Sequence, residues 1–333
     1  MRICFISHLA VNLDEGLRKT AYCLYKELSQ NHQTILVDIN KPWTWYKITL
    51  FRPDIIHTFL SPTTSGLMAA KLAALFYPRA KTVMSACHAA GLSPSKLHSL
   101  LKPDLVLTQS ADSEKKFASR VYNTRFMPNG VDISKFTPSN RTQKRSLRNK
   151  YGLNPDKFTV LHVGSLKPAR NVQLFKQVAT DNPSFQVIVV GRTADKHVDD
   201  ELIEGLSASG CTVWTQYFEN INELYAMADC YVFPTFNALA CIETPLSVLE
   251  ALSCNIPVIT TPFGCLPRMF TPDTGIIFAD SDEKLVKALA ILSENYPAEI
   301  NNRLKIMPYS WENIGTQLEN QYKLIKTHPC IVT

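Results

Sequence analysis

A predicted helix start is followed, one turn later, by a carboxylate. Thr244 and Pro245 are typical of a helix N-cap and of the first helical position. The amides of Leu246 and Ser247 then have no partner within the helix and lie at its positive end, an arrangement that binds phosphate. Glu250 lies on the same face, about 5 Å along the axis, where its carboxylate can accept hydrogen bonds from hydroxyl groups. The segment therefore predicts a site for a ligand that carries both phosphate and hydroxyl groups.

Glu250 also has a purely structural interpretation, as an ordinary exposed helix residue. The apolar residues Val248, Leu249, Ala251 and Leu252 flank it and favour a buried helix. An unpaired carboxylate in such a helix is costly. We therefore favour a binding role for Glu250.

Two series of strands and helices position these residues. Short β-branched runs alternate with helical patterns, which is typical of parallel α/β layers. In the first half we predict strands at 3–6, 34–39, 55–58, 81–85, 105–109 and 124–127. In the second half we predict strands at 159–163, 186–190, 212–215, 230–233, 257–260 and 275–278.

The pattern predicts two doubly wound, Rossmann-like α/β domains. The first covers residues 1–137, and the second covers residues 156–309. The segment 138–155 between them is polar and basic, as expected of a linker. Ligands bind at the carboxyl ends of the strands in such sheets, so we expect the two domains to face one central cleft.

Composition excludes several protein classes. The chain has 333 residues, of which 45% are hydrophobic and 19% charged, as in packed globular proteins. The longest apolar stretch, 230–242, is too short to span a bilayer, and residues 1–30 have no signal-peptide pattern. The nine cysteines include no Cys-x-x-Cys and no zinc spacing. We therefore expect a cytoplasmic protein with reduced thiols.

Charge is divided unequally between the two halves. Residues 1–150 carry a net charge of +13, and residues 151–333 carry −7. Five basic residues without an acidic neighbour crowd into 141–150: Arg141, Lys144, Arg145, Arg148 and Lys150. The first half is therefore expected to meet an anionic partner or surface, whereas the basic stretch itself fits a solvated linker and helix equally well.

Residues 129–138 carry a family resemblance. Asn129–Asp132, followed by Phe136 and Pro138, resembles the Asn-Gly-Val-Asp-x-x-x-Phe-x-Pro string of the group-one glycosyltransferases. Further segments similar to that family follow in order at 160–164, 185–192, 224–234, 249–259 and 310–312. The resemblance implies the GT-B fold and a retaining glycosyltransferase that uses a nucleotide-sugar. It makes 1–137 the acceptor-side domain, 156–309 the donor-binding domain, and 310–333 a C-terminal helix packing back on the first domain.

The resemblance assigns ribose binding to Glu250 and sugar contacts to an upstream glutamate. The family has seven residues between these two glutamates, whereas Glu243 and Glu250 have six. Glu243 is therefore either a catalytic-site residue on a shifted loop or an acid that favours the helix dipole. Both interpretations remain open.

A second departure follows the first strand of the donor domain. The family pattern Gly-Arg-Leu-x-x-x-Lys-Gly is matched here by residues 164–171, with Ser165 in place of arginine and Arg170 in place of lysine. Arg170 can grip a phosphate with two parallel hydrogen bonds. We expect Gly164, Ser165 and Arg170 to line the donor site.

Two further candidates lie in the first domain. His88 follows a predicted strand and matches the family's histidine that faces the reaction centre, where a neutral imidazole can bind a sugar hydroxyl; a structural role is the alternative. Asp14, Glu15 and Gly16 replace a glycine-rich turn. Gly16 lets a ligand approach the backbone, and the two acids suit hydroxyl groups. A helix N-cap is an equally good interpretation of Asp14.

No metal or other cofactor is expected. Asp280 and Asp282 form an Asp-x-Asp string, which binds a divalent cation in the other main glycosyltransferase fold. Here the string lies between a strand and a helix, so we expect a capped helix start. Two other functions stay open: a nucleotide-sugar epimerase on the same fold, and a non-catalytic GT-B protein that binds a sugar or a partner.

The charge division bears on the acceptor. We expect an anionic, glycan or lipid-linked acceptor, no nucleic acid, and for the lipid case peripheral contact with the inner membrane face. Residues 67–76 and 95–102 are the candidate contact helices, with a place in the protein core as the alternative.

Overall fold

The computed structural model describes residues 1–8, 16–89, 100–191, 200–273 and 275–327. This part of the chain forms two compact units. The first unit comprises residues 1–130, 241–245 and 309–333, and the second comprises residues 131–240 and 246–308. The chain therefore passes between the units more than once, and each unit has its own sheet.

The first unit is built on six parallel strands in the order β2-β1-β3-β4-β5-β6. The strands are β1 (Arg2–Ser7), β2 (Gln33–Asp38), β3 (Ile55–Phe59), β4 (Lys81–Ala86), β5 (Leu105–Thr108) and β6 (Thr124–Phe126). Helices α1 (Gly16–Leu28), α2 (Tyr46–Phe51), α3 (Thr64–Leu75) and α4 (Ala111–Ala118) lie between them in the chain. The inner strands β3 and β5 are buried along their whole length, because helices cover both faces of a parallel sheet.

The second unit also has six parallel strands, in the order β12-β11-β10-β7-β8-β9. The strands are β7 (Phe158–Val163), β8 (Phe185–Val190), β9 (Thr212–Trp214), β10 (Cys230–Phe233), β11 (Val258–Thr260) and β12 (Ile276–Phe278). Its helices are α5 (Arg141–Lys150), α6 (Leu174–Asp181), α7 (Asp200–Ala208), α8 (Ile221–Met227), α9 (Leu246–Ser253), α10 (Leu266–Met269), α11 (Asp282–Glu294) and α12 (Asn302–Ile306). One apolar cluster, which includes Val160, Phe175 and Val232, fills the core.

Helix α13 (Trp311–Thr327) belongs to the first unit and packs against α1. Its Tyr322 is fully buried, and the phenol oxygen lies 2.5 Å from Nδ1 of His57 on β3. Nε2 of the same ring lies 2.8 Å from the Ser85 hydroxyl on β4. The C-terminal helix is thus fastened to the centre of the first sheet by a buried polar chain.

The predicted fold class is confirmed, since all twelve predicted strands form and pair in parallel in two α/β sheets. The segment 138–155 differs from the expected linker. It contains α5, which starts with a capping box between Asn140 and Gln143 and packs against α8. Arg148 of α5 is 5% exposed and hydrogen-bonds the Met227 carbonyl and Asp229. The helix is therefore part of the second unit, and polar bonds rather than apolar side chains hold it there.

None of the helices in the described ranges is both long enough and apolar enough to cross a bilayer.

Candidate functional site

The strand order of the second unit marks one place where a ligand is expected. The chain runs outward from β7 to β8 and β9, then returns to place β10 on the other side of β7. The loops that follow β7 and β10 therefore diverge, and the crevice between such loops is the usual ligand site of an open α/β sheet. Gly164 and Ser165 directly follow β7, and Arg170 closes the short 3₁₀ turn Pro168–Arg170.

Several of the predicted donor-site residues lie around Tyr231 on β10. Its hydroxyl donates to the carbonyl of Val163, at the end of β7, over 3.1 Å, and Ser247 of α9 hydrogen-bonds the same hydroxyl. Burial raises the pKa of Tyr231, the Glu250 carboxylate adds to the rise, and Arg170 is near enough to oppose it. The structure thus brings Arg170, Ser247 and Glu250 near Tyr231, whose hydroxyl reaches the carboxyl end of β7.

Glu250 is buried rather than exposed. It is 6% exposed, and its Oε2 accepts a hydrogen bond from the Tyr225 hydroxyl over 2.8 Å. Burial, together with the Glu250 carboxylate, raises the pKa of Tyr225 well above its ordinary value, so the phenol keeps its proton and acts as the donor. Tyr225 also packs edge-on against Phe136, with ring centroids 5.4 Å apart. The carboxylate is therefore held in one position, which excludes the alternative of an ordinary exposed helix residue.

Arg170 supplies a positive charge at this place. It is half-buried, it pairs with no carboxylate of the described chain, and its Nε has no hydrogen-bond partner there. Its Nη1 lies 3.8 Å from the position that a Cβ atom on Gly164 would occupy. Gly164, at the end of β7, has no side chain to cover the Arg170 guanidinium. The guanidinium is therefore suited to bind an anion there.

His162 lies near the end of β7, just before the loop that begins at Gly164. No sequence motif indicated this residue. Its Nδ1–H donates to the carbonyl of Val232 over 3.0 Å, and its Nε2 has no partner in the described part of the chain. Burial lowers the pKa of His162 to about 4, and Arg170 contributes to the fall, so the ring is neutral. A Cβ on Gly164 would lie 3.0 Å from Nε2, which explains in part why glycine stands there.

The helix start differs from the prediction by one residue. Helix α9 begins at Leu246, and the Thr244 hydroxyl has no partner among the described residues, so Thr244 is not the N-cap. The backbone of Thr244 belongs to the first unit instead: its N–H donates to Gln109, and its carbonyl accepts from Asn129. Leu246 and Ser247 still occupy the first turn of α9, where amides have no intrahelical partner.

Glu243 lies in the first unit, where two serine hydroxyls hold its side chain. Its Oε1 accepts from the hydroxyls of Ser110 (2.6 Å) and Ser113 (2.9 Å), at the start of α4. Its N–H donates to the Cys87 carbonyl over 2.7 Å. Glu243 is 4% exposed, and burial raises its pKa while the two serine hydroxyls oppose the rise. Its Oε2 has no partner among the residues that the structure describes.

The first unit also brings together the two residues that the sequence analysis expected to be catalytic. His88 directly follows Cys87, whose carbonyl holds the Glu243 backbone. The ring of His88 is half-buried at the carboxyl end of β4. A polar network of Gln109, Asn129 and Cys87 lies next to them, with Gln109 Nε2 2.6 Å from Asn129 Oδ1.

The remaining predicted residues divide into two groups. Asp14 and Glu15 lie outside the described residues. Gly16 begins α1 and faces Ile242, since a Cβ there would lie 2.6 Å from Ile242 Cδ1. The contact with Ile242 by itself explains why a small residue is needed at Gly16, and no ligand has to be invoked.

The Asp-x-Asp string forms the expected capped helix start. The Ser281 side chain accepts from the N–H of Lys284 at the start of α11, and Asp280 pairs with the Lys284 ammonium group. Asp282 accepts from the Asn171 amide over 2.7 Å. In the described ranges, no three His, Cys, Asp or Glu side chains come together as a metal site.

A family model described as "Glycosyl transferases group 1" matches residues 143–309, half of the chain. The chain is similar to the sulfoquinovosyl transferase SQD2 of Arabidopsis thaliana, with 28% identity over 303 residues, 83% of this chain and 57% of that protein. It is also similar to the alpha-monoglucosyldiacylglycerol synthase of Acholeplasma laidlawii, with 25% identity over 59% of this chain and 51% of that protein. The chain thus spans little more than half the length of these curated relatives.

Solved structures agree on the fold. Sucrose-phosphate synthase from Thermosynechococcus elongatus superposes with a TM-score of 0.79 at 15% identity, covering 98% of this chain and 99% of that one. Anabaena HepE in complex with UDP superposes with a TM-score of 0.76 at 14% identity, covering 97% of this chain and 100% of that one. Both are GT-B glycosyltransferase structures, so the predicted architecture of two Rossmann-like domains is confirmed.

Proposed function

This chain belongs to the group 1 glycosyltransferases, and we propose that it transfers a sugar from a nucleotide-diphosphate-sugar to a hydroxyl group of a membrane lipid. The observation that carries the proposal is the grouping of Arg170, Ser247 and Glu250 around Tyr231, whose hydroxyl reaches the carboxyl end of β7. A cation, free helix amides and a fixed carboxylate are the groups that a nucleotide diphosphate requires.

The donor is expected to lie along the first turn of α9. The diphosphate binds the amides of Leu246 and Ser247 and the guanidinium of Arg170, which together offset its negative charge. The ribose hydroxyls donate to Glu250, about 6 Å from the helix start along the axis. The Tyr225 hydroxyl keeps that carboxylate in place before the ligand arrives, which lowers the cost of ordering the site.

We further propose that the transfer retains the donor's anomeric configuration and uses no metal ion. The family resemblance supports retention, in which the leaving phosphate helps to deprotonate the acceptor and no protein nucleophile is needed. Arg170 and the α9 amides supply the positive field that a cation would otherwise provide. Asp280 and Asp282 are engaged by Lys284 and Asn171, which supports a structural role at the start of α11.

The name of one relative and the charge of the first half support a lipid acceptor. Both curated relatives carry transferase or synthase names, and one of them names a diacylglycerol glycolipid. Residues 1–150 carry +13, an excess that suits an anionic membrane surface. His88, at the carboxyl end of β4, is proposed to orient the acceptor hydroxyl as a neutral imidazole. We propose that the protein works in the cytoplasm at the inner membrane face.

The test is transfer of labelled sugar from UDP-, GDP- and ADP-sugars to diacylglycerol and to acidic phospholipids in mixed micelles. One donor is expected to yield a glycolipid, and Glu250→Gln is expected to lower kcat/KM at least about ten-fold. Glu201→Gln, a matched change at an exposed residue of α7, is expected to act like the wild type. Interconversion of donor sugars without transfer would indicate the epimerase, and no turnover of any donor would indicate the binding protein.

A further inference from the structure

Helices α2 and α3 of the first unit expose an unusual number of large apolar side chains. On α2 and the turn before it, Trp43 is 70% exposed, Tyr46 54% and Leu50 72%. On α3, Leu72 is 53% exposed and Leu75 59%, and Met68 and Phe76 are also exposed. The spacing of three to four residues places each set along one side of its helix.

The two helices adjoin each other, so the two sets form one surface. The Thr49 hydroxyl donates to the Phe76 carbonyl over 2.7 Å, and the Trp45 and Phe76 rings meet edge-on at 5.8 Å. The opposite sides of the helices are buried, since Trp45, Ile48 and Ala73 share one core cluster. The exposed residues are therefore additional to the core that holds the helices in place.

Exposed basic residues lie in the same segments of the chain as this apolar surface, and acidic residues are nearly absent there. Between Asp38 and Asp104 the chain has eight Lys and Arg residues and a single acid, Asp54. Asp54 is engaged by Lys326 and by the N–H of Arg2. Five of the basic residues lie in or beside the two helices, are exposed, and pair with no carboxylate of the described chain: Lys41, Lys47, Arg52, Lys71 and Arg79.

We propose that the surface formed by residues 41–52 and 68–79, the α2–α3 face, docks the protein on an anionic phospholipid bilayer. Exposed Trp, Tyr and Leu side chains suit the boundary between headgroups and acyl chains, and the exposed lysine and arginine residues of the same segments suit anionic headgroups. A second copy of this chain fits poorly, because two such faces would oppose unpaired positive charges. The proposal deepens the proposed function by naming the surface through which that enzyme would reach a lipid acceptor.

The charge part of the proposal is tested by flotation with vesicles. The wild-type chain is expected to float with vesicles of equal parts phosphatidylcholine and phosphatidylglycerol at low salt, and not with phosphatidylcholine alone. The double variant Lys47→Glu/Lys71→Glu is expected to bind at least about ten-fold more weakly, from two lost attractions and two added repulsions. The control Lys26→Glu/Lys287→Glu makes the same charge change at exposed residues elsewhere and is expected to bind within about two-fold of the wild type.

The apolar part is tested at physiological salt, where screened charges alone bind weakly. Leu50→Ser/Leu72→Ser is expected to lose most binding to the anionic vesicles. Leu304→Ser/Leu324→Ser, at residues 67% and 50% exposed, is the matched control and is expected to keep it. All four variants change exposed positions, so unchanged thermal unfolding is expected and is measured alongside.

The outcomes separate this proposal from the proposed function. Failure of the wild type to bind anionic vesicles at low salt, or equal loss in the control variants, overturns the docking face whatever the enzyme does in micelles. Vesicle binding lost only in the α2–α3 variants supports the face even where no donor is turned over. A face that instead mediates self-association would show as a concentration-dependent dimer in sedimentation, abolished by Leu50→Ser/Leu72→Ser, and that result also overturns the proposal.

Discussion

The hydroxyl of Tyr225 on α8 donates a hydrogen bond to Oε2 of Glu250 on α9 over 2.8 Å, and both side chains are buried. The protein itself thus orients one oxygen of the Glu250 carboxylate, the group proposed to bind the ribose. An alanine at position 250 would leave the Tyr225 hydroxyl without its acceptor and open a cavity. It would therefore destabilise the local structure as well as remove the proposed ribose-binding group. Glutamine, which keeps an acceptor oxygen, is the informative substitution at Glu250.

Tyr225→Phe keeps the Glu250 carboxylate but removes the hydrogen bond that orients it, so it is expected to weaken donor binding. Loss of the hydrogen bond frees Glu250 to turn, so KM for the donor is expected to rise several-fold with little change in kcat. The free energy of unfolding is expected to fall by about 1 to 3 kcal/mol. Steady-state kinetics and urea unfolding measure the two effects, and a changed kcat with unchanged KM would contradict the positioning role.

Arg170→Ala is expected to lower kcat/KM for the donor at least about ten-fold, since the diphosphate loses its guanidinium partner. Arg170→Lys is expected to recover part of the loss, because it keeps the charge without the planar fork. Lys167→Ala, at an exposed residue of the same turn, is the matched control and is expected to stay near the wild type. Equal kinetics for Arg170→Ala and Lys167→Ala would remove Arg170 from the site.

The buried histidine His57 predicts acid sensitivity of the first unit. Burial lowers the pKa of His57 to about 3. Between pH 6.5 and 3, therefore, His57 binds a proton in the unfolded chain but not in the folded chain. Stability is therefore complete above pH 6.5 and is lost as the pH falls towards 3, by about 2 kcal/mol at pH 5. His57→Gln, which keeps polar contacts to Tyr322 and Ser85 but does not titrate, is expected to flatten the fall in unfolding temperature between pH 7 and 5. An unchanged slope would show that other groups cause it.

Activity is expected to survive EDTA, and Asp280→Asn is expected to be nearly silent. Asp280 is exposed and, among the residues that the structure describes, pairs with Lys284 one turn away, so its charge serves the start of α11. Sugar transfer is measured before and after chelation, with added Mg²⁺ and Mn²⁺. Loss of transfer that either ion restores, combined with an inactive Asp280→Asn variant, would overturn this structural role of Asp280.

Sequence patterns predicted the two sheets because strands in parallel sheets carry long β-branched runs that are visible locally. The misassigned elements lack this signal. Helix α5 has almost no apolar side chain and is held by Arg148, whose partners near Met227 lie about eighty residues away in the chain. Helix α2 was missed because Ile48 is the one fully buried residue among its six.

The candidate site was predicted only where a motif named the residue. Arg170, Ser247 and Glu250 come together, but Tyr231 and Tyr225 went unrecognised, since buried aromatic residues in a strand and a helix are usually core. Their signal is a phenol oxygen that needs a partner. The two serines that bind Glu243 lie more than 120 residues away from it, and no local pattern indicates that contact.

Binding of UDP, GDP and ADP, measured by titration calorimetry, tests the central claim most directly, because it depends on the second-unit site and on no acceptor. One of the three is expected to bind with a stoichiometry of one. Glu250→Gln and Arg170→Ala are each expected to weaken it at least about ten-fold, or about 1.4 kcal/mol, while Glu201→Gln and Lys167→Ala leave it unchanged. Binding of a nucleoside diphosphate with equal affinity to all five proteins, or to none, would contradict the proposed donor site.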